Sequence, residues 1–72
     1  MWTYVPRMAE TRTRAGVGRL QYLKDSAPTQ YRYVLCKGLK KTVVGEYSSC
    51  SKIEALRKGK ADLIAYMDAM RK

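Results

Sequence analysis

Histidine is absent from this 72-residue sequence, and its absence removes several kinds of active site. Histidine is the side chain that most often acts as a general base, so Ser/His and Cys/His nucleophile pairs are excluded. Of the six carboxylates, three belong to a solvated pattern on a predicted helix: Glu54, Asp62 and Asp68. We therefore predict that the protein is not an enzyme and that it needs no cofactor.

Cysteine is also scarce, since the sequence contains two residues of this type, Cys36 and Cys50. Two separated cysteines without histidine do not complete the tetrahedral ligand set of a zinc ion, so we expect no metal. The pair could close one disulfide. Without a secretory signal, two reduced and partly buried thiols are the favoured interpretation.

Long apolar runs are missing as well. No stretch approaches the roughly 18 apolar residues of a membrane-spanning helix. The first seven residues have neither the basic start nor the continuous apolar segment of a secretory signal. We therefore expect a cytoplasmic protein with no membrane partner. At 72 residues, the chain is predicted to be a single domain with a thin core.

Positive charge is what the sequence has in excess: 15 Lys and Arg against 6 Asp and Glu give a net charge of +9. Residues 1–29, 30–50 and 51–72 each carry a net +3, so the excess is not a basic tail. This distribution predicts a folded surface of one sign, for which polyanions are the natural partners. The alternative is that the charge serves solubility alone.

Residues 30–50 are typical of a β-hairpin. Residues 31–36 and 42–47 are both rich in aromatic and β-branched side chains, and the segment between them predicts a turn near Gly38. Gly45 interrupts the second strand, which indicates either a bulge or a close approach by the helix.

Residues 51–71 are predicted to form a C-terminal helix, because Ser51 and Glu54 have the spacing of a capping box. At about 100° per residue, one apolar stripe is predicted to hold Ile53, Leu56, Leu63, Ile64, Met67 and Met70. Lys60 projects near the middle of this stripe. Either the helix kinks after Gly59, or the lysine stem lies along apolar surface with its ammonium in water, which we favour.

Residues 1–29 are predicted to form an N-terminal arm, a loop and a first strand. Trp2, Tyr4 and Met8 share one parity, and Pro6 limits this segment to an edge strand or an extended arm. The single tryptophan is either a structural anchor, which we favour, or an exposed stacking residue.

The next segment, 9–18, is predicted to be a loop because it contains two glycines and little to bury. Residues 18–25 fit either a strand or one helical turn, and a strand is favoured because a lone hairpin with one helix is marginal in water. The predicted fold class is therefore α+β, with the order β-β-β-α. A small antiparallel sheet of three strands, or four if the N-terminal arm joins it, packs on one C-terminal helix.

Basic and aromatic side chains supply the candidate binding residues. Those predicted to contact phosphates or an acidic partner are Arg12, Arg14, Arg19, Arg32, Lys37, Lys40 and Lys41. Candidate aromatic contacts are Trp2, Tyr31 and Tyr33. Because Tyr31 and Tyr33 share one strand face, they either pack beneath the helix or form a stacking surface for bases.

We predict a small, basic, non-enzymatic protein that binds the phosphate backbone of DNA or RNA with weak sequence preference. The alternative is a protein-binding inhibitor or accessory module, of a type that viruses encode, which docks on an acidic surface or nucleic-acid groove of a larger host complex. Trp2 and Met70 would then be its apolar anchors. Homodimer formation through the helix or a sheet edge is open in both cases.

Overall fold

Five strands and one helix make up the computed structural model, which describes residues 1–5, 10–48 and 51–71. In chain order they are β1 Trp2–Tyr4, β2 Thr11–Thr13, β3 Gly16–Leu23, β4 Gln30–Lys37, β5 Lys40–Ser48 and α1 Lys52–Met70. The predicted α+β class with a C-terminal helix is confirmed. The predicted strand number was too small, because the described residues contain five strands rather than three or four.

The sheet is antiparallel at each pairing between described strands, with β4 between β3 and β5. Both short N-terminal strands pair with the other edge of β3. β1 lies against residues 21–23, whereas β2 lies against residues 16–18, so the two follow one another along a single edge. A three-residue strand is stable here because its partner is a long inner strand.

The prediction of a loop over residues 9–18 is wrong at residues 11–13 and 16–18, which are strands, and Ala9 lies outside the described residues. β2 and β3 form a hairpin with a tight turn at residues 14–15. The Thr13 hydroxyl stabilises this turn by donating to the Gly16 carbonyl at 2.8 Å and accepting from the Ala15 amide at 3.1 Å. The strand favoured for residues 18–25 is confirmed as part of β3. In the arm, β1 is an edge strand, while Pro6 and Met8 lie outside the described residues.

The second predicted hairpin is confirmed, since β4 and β5 are joined by a turn at Gly38 and Leu39. Gly38 has φ 60°, a backbone angle that glycine adopts without steric cost. Gly45 combines both predicted roles: the register shifts beside its partner Tyr33, and the side chains of Tyr47 and Asp62 fill the space that a Cβ would need. The Tyr47 hydroxyl donates to Asp62 Oδ2 at 2.5 Å, which joins β5 to the helix.

The predicted helix start is confirmed at Ser51. Its Oγ accepts a hydrogen bond from the Glu54 amide at 3.2 Å, and α1 then runs without interruption through Gly59. Lys60 is exposed, so the helix does not need a kink to place its ammonium in water.

The predicted apolar stripe of the helix is partly wrong. Ile53 and Ile64 are 66% and 60% exposed, whereas the buried positions are Ala55, Gly59 and Leu63. Small side chains decide this orientation because they allow the helix backbone to approach the sheet. A Cβ added at Gly59 would lie 2.5 Å from Tyr33 Cγ, so the helix contacts the sheet at this point.

The core lies between α1 and one face of the sheet. It is formed by Val5, Leu20, Tyr33, Leu35, Ala55 and Leu63. Tyr33 is completely buried, and its hydroxyl shares a 2.8 Å hydrogen bond with the hydroxyl of Thr11. Tyr33 is therefore unavailable for contact with a nucleic acid, which corrects the prediction that it is a candidate aromatic contact. Tyr31 packs partly buried against the same core, so the core interpretation of this strand face is right.

Candidate nucleic-acid interface

The sheet has a second face, turned away from α1, which we call the open face. In β3, Gly18 and Leu20 point to the helix, so by strand alternation Val17, Arg19 and Gln21 point the other way. The strand register then assigns the polar and aromatic members of the open face, which are Trp2, Tyr4, Arg12, Arg19, Gln21, Arg32, Cys36, Lys41 and Glu46.

Arg32 is held in place at the centre of this face. Its guanidinium lies 4.3 Å from the ring centroid of Trp2, and its Nε donates to Gln21 Oε1 at 2.7 Å. Trp2 is half-buried, which fits the structural anchor that the sequence favoured. An arginine guanidinium above an indole ring is a stabilising cation–π contact. Arg32 and Trp2 thus stabilise each other, and much of their contact capacity is already used inside the protein.

Tyr4 is a member of this face that was not among the predicted site residues. Its hydroxyl reaches from β1 across β3 to Cys36 Sγ on β4, at 3.6 Å. The Arg19 guanidinium and the Lys41 Nζ lie 5.3 and 5.1 Å from its ring centroid. A hydrogen bond with the Tyr4 hydroxyl raises the pKa of Lys41 above the ordinary 10.5 and so favours the charged form of the lysine. The shared parity of Trp2 and Tyr4 was the sequence signal for this position.

Cys36 is a free thiol on the open face, as expected, and Cys50 lies outside the described residues.

Arg19 forms an ion pair with Glu10, with 3.1 Å between Nη2 and Oε1. Part of its charge is therefore neutralised within the protein. Of the seven predicted cations, Arg19, Arg32 and Lys41 contact side chains of the protein, and Arg19 and Arg32 are the two that are not exposed.

The other five predicted cations converge at one end of the sheet, which we call the basic end: Arg12, Arg14, Lys37, Lys40 and Lys41. The β2–β3 and β4–β5 turns lie side by side there, because β3 and β4 are paired up to Val17 and Cys36. Residues 11–18 and 34–43 form this end, and they contain five basic and no acidic residues. All five cations are exposed.

The basic end presents its charges on both sides of the sheet. Arg12 and Lys41 lie on the open face, at opposite ends of a row that crosses four strands. With strands about 4.8 Å apart, this row spans roughly 14 Å. Arg14, Lys37 and Lys40 lie on the helix side. A polyanion that passes over the ends of the two turns can therefore contact cations from both sides.

On the helix side, the three cations border a cleft of about 350 Å³ between the basic end and the last turns of α1. Its lining residues are Arg14, Ala15, Leu35, Lys37, Lys40, Thr42, Tyr66 and Met70. Thr42 and Tyr66 were not predicted as site residues, and their positions depend on how the helix crosses the sheet. Met70, a predicted apolar anchor, is 60% exposed at the rim.

Over the described ranges, no three His, Cys, Asp or Glu side chains are grouped so that they could hold a metal ion. In the same part of the chain, no helix combines the length and apolarity required to cross a membrane. Comparison with protein-family models, with curated protein sequences and with solved structures finds no match for this chain, so its function must be argued from the geometry of the open face and the basic end.

Proposed function

We propose that the protein binds nucleic acid without catalysis, holding the phosphate backbone at the basic end with weak sequence preference. One observation carries the proposal. Two turns that are separate in sequence lie side by side and bring together five exposed cations, in segments with no acidic residue. Such a concentration of one charge attracts polyanions and releases their counterions on binding.

The open face supports backbone contact rather than base stacking. Cations lie 4.3 Å from the ring of Trp2 and 5.1 Å or more from the ring of Tyr4, so both rings already have partners. Tyr33 cannot stack on a base either, because it is buried in the core. Proteins that bind single strands use exposed aromatic rings as stacking surfaces. We therefore expect duplex and single-stranded probes to bind with similar affinity.

Fluorescence anisotropy with nuclease-treated protein tests this proposal. Labelled duplex DNA, single-stranded DNA and RNA of unrelated sequence are titrated from low to physiological salt. We expect the logarithm of the affinity to fall linearly with the logarithm of the salt concentration, with a slope near −4 if about five phosphates are contacted. An affinity that does not depend on salt contradicts the proposal.

A matched pair of double variants locates the interface. Lys37→Ala/Lys40→Ala removes two cations from the basic end, whereas Lys58→Ala/Lys60→Ala removes two exposed lysines from α1. Both change the net charge equally. We expect the first to reduce the salt slope by about 2 and the second to leave it nearly unchanged. Equal losses would show that only the total charge matters and that the basic end is not a site.

Leu39 favours a second candidate function, docking on an acidic protein surface. This side chain is fully exposed at the tip of the β4–β5 turn, between Lys37 and Lys40. An apolar anchor within a charged rim is the usual composition of a protein-binding hot spot. Leu39→Ser separates the two functions: it leaves affinity for nucleic acid unchanged but abolishes stoichiometric binding to a protein partner that survives nuclease treatment.

A further inference from the structure

The cleft beside the basic end combines two kinds of surface that a simple phosphate-binding patch does not require. Three cations, Arg14, Lys37 and Lys40, stand at its border. Its interior is apolar, with Leu35 only 5% exposed at the floor and the side chains of Tyr66 and Met70 on the helix wall. We infer that this cleft is a binding site for a single nucleotide, with the phosphate at the cations and the base against the apolar wall.

The charge of the border selects a phosphate. None of the eight residues that line the cleft is acidic, so an anion meets no repulsion from them. A second depression of about 270 Å³ shares Arg14, Ala15 and Met70 with the cleft and adds Arg71 to the surrounding cations. Three cations at the cleft, with Arg71 at the adjoining depression, exceed what a singly charged carboxylate needs, whereas a phosphate monoester carries close to two negative charges at neutral pH.

The size and lining of the interior suit a single base. A volume of about 350 Å³ is at the lower end of the range for small-molecule sites. This volume is large enough for one base. Tyr66 contributes an aromatic ring, and Thr42 contributes a hydroxyl that can donate or accept a hydrogen bond. Base–aromatic contact of this type stabilises nucleotides in many single-strand binders.

The nucleotide has two possible sources, a free nucleoside monophosphate or the 5′-phosphorylated end of a strand. The second deepens the proposed function, because Arg14, Lys37 and Lys40 belong to the basic end as well. Binding of a free nucleoside monophosphate does not depend on the proposed function. Base contact inside the cleft needs an unpaired nucleotide, so an internal duplex segment can reach the cations but not the apolar wall.

Amide NMR titration of the full chain tests the site directly, with AMP, adenosine, inorganic phosphate and decanoate as separate probes. We expect AMP to shift the amide signals of Ala15, Thr42 and Tyr66 in a saturable manner. Adenosine and phosphate alone should each bind at least tenfold more weakly, because each lacks half of the contacts. Phosphate binding as tightly as AMP, or decanoate binding more tightly, would overturn the inference.

Two variants on neighbouring residues of β5 supply the control. Thr42→Phe fills the cleft while leaving its cations in place, whereas Val43→Phe adds the same side chain to the open face of the same strand. Both positions are exposed, so both variants are expected to fold. AMP affinity should fall at least tenfold in Thr42→Phe and stay unchanged in Val43→Phe. Loss in both variants, or in neither, contradicts the assignment.

Oligonucleotide arms distinguish the two sources and separate this inference from the proposed function. A 5′-phosphorylated single strand that binds at least fivefold more tightly than its 5′-hydroxyl counterpart, with the difference removed by Thr42→Phe, identifies a strand end. AMP binding without that difference identifies a free nucleotide. Salt-dependent duplex binding that survives in the absence of AMP binding overturns the inference alone. AMP binding without duplex binding overturns the proposed function alone.

Discussion

The two faces of the sheet bury neighbouring residues by different chemistry. On the helix side, Tyr33 and Leu35 are 0% and 5% exposed beneath an apolar helix surface. On the open face, Val34 and Gln21 are 1% and 4% exposed, although no helix covers them in the described part of the chain. Aromatic rings and the cations above them form the outer layer there. A 72-residue chain can thus protect both faces of a central strand with one helix.

The two faces are also expected to contribute differently to stability. Packing on the helix side depends on shape, and removing a methylene there leaves a cavity. The open-face layer consists of long side chains with polar ends, which bury their stems and keep their charges near water. We therefore expect substitutions beneath the helix to reduce stability most, and substitutions in the outer layer to cost less.

Leu63→Ala and Ile64→Ala give the largest expected contrast. Leu63 is fully buried and Ile64 is 60% exposed, although the sequence assigned both to one apolar stripe. We expect Leu63→Ala to lower the free energy of unfolding by about 2–5 kcal/mol and Ile64→Ala by about 0.5 kcal/mol or less. Urea denaturation measures both. If Leu63→Ala does not fold, its loss of helical circular dichroism gives the same answer, and equal effects would refute the observed helix orientation.

Gly59→Ala tests the close approach of the helix to Tyr33. Helix propensity alone favours alanine by about 1 kcal/mol. The added Cβ would lie 2.5 Å from Tyr33 Cγ, and overpacking of this type costs about 1–3 kcal/mol. We expect these two effects to leave a net loss of up to about 2 kcal/mol in urea denaturation. The exposed Ala61→Gly is the control, with a loss of about 1 kcal/mol. Stabilisation by Gly59→Ala would show that the helix does not contact Tyr33 here.

Tyr33→Phe removes the hydrogen bond with Thr11, at an expected cost of about 1 kcal/mol. Burial raises the pKa of Tyr33 above the ordinary 10.0, because the phenolate is poorly solvated in the core. The folded state therefore keeps this proton longer than the unfolded state. Its contribution to stability is fully present below about pH 10 and is lost as the pH rises through the folded pKa.

Urea midpoints measured from about pH 8 to about pH 11 should therefore fall less steeply in Tyr33→Phe than in the parent protein. The exposed Lys41, whose pKa is also raised, contributes a decline in the same direction to both proteins. Identical pH dependence in the two proteins would argue that Tyr33 is not the group that resists ionisation.

The smallest expected effect concerns the outer layer. A double-mutant cycle with Trp2→Leu and Arg32→Gln should give a coupling free energy of about 0.5–1 kcal/mol, because the guanidinium lies 4.3 Å from the indole centroid. Arg12→Gln combined with Trp2→Leu is the control, and its coupling should be near zero. Coupling above 2 kcal/mol would mean that the open face is packed as rigidly as the helix side.

Local features were the ones that the sequence predicted well. The helix start at Ser51 and the turn at Gly38 depend on residues within three or four positions, so their signals are complete in a short window. Strand β3 was favoured for a structural need, namely that the hairpin required a further partner. Strand β2 was missed because three residues have too little pattern, and their pairing with β3 is what makes them a strand.

The candidate site, too, was predicted only in part from the sequence. Composition predicted the cations, and their distribution along the chain excluded a basic tail. Composition could not show that Arg14 and Lys37 line one cleft while Arg19 and Arg32 contact other side chains, because this depends on the register between distant strands. To predict the cleft, one would also need the rotation of α1 about its axis, because this rotation places Tyr66 and Met70 beside the basic end.

The sequence by itself therefore determined the C-terminal helix and its cap, the central hairpin and its turn, and the sign of the net charge, since each follows from neighbouring residues or from simple counts. Only the tertiary structure decided which sheet face is covered. Ala55 and Gly59 set the orientation of the helix through backbone approach, whereas hydrophobic periodicity favoured the larger Ile53 and Ile64. The physical reason is that steric fit depends on both partners of a contact, and the second partner is not adjacent in the chain.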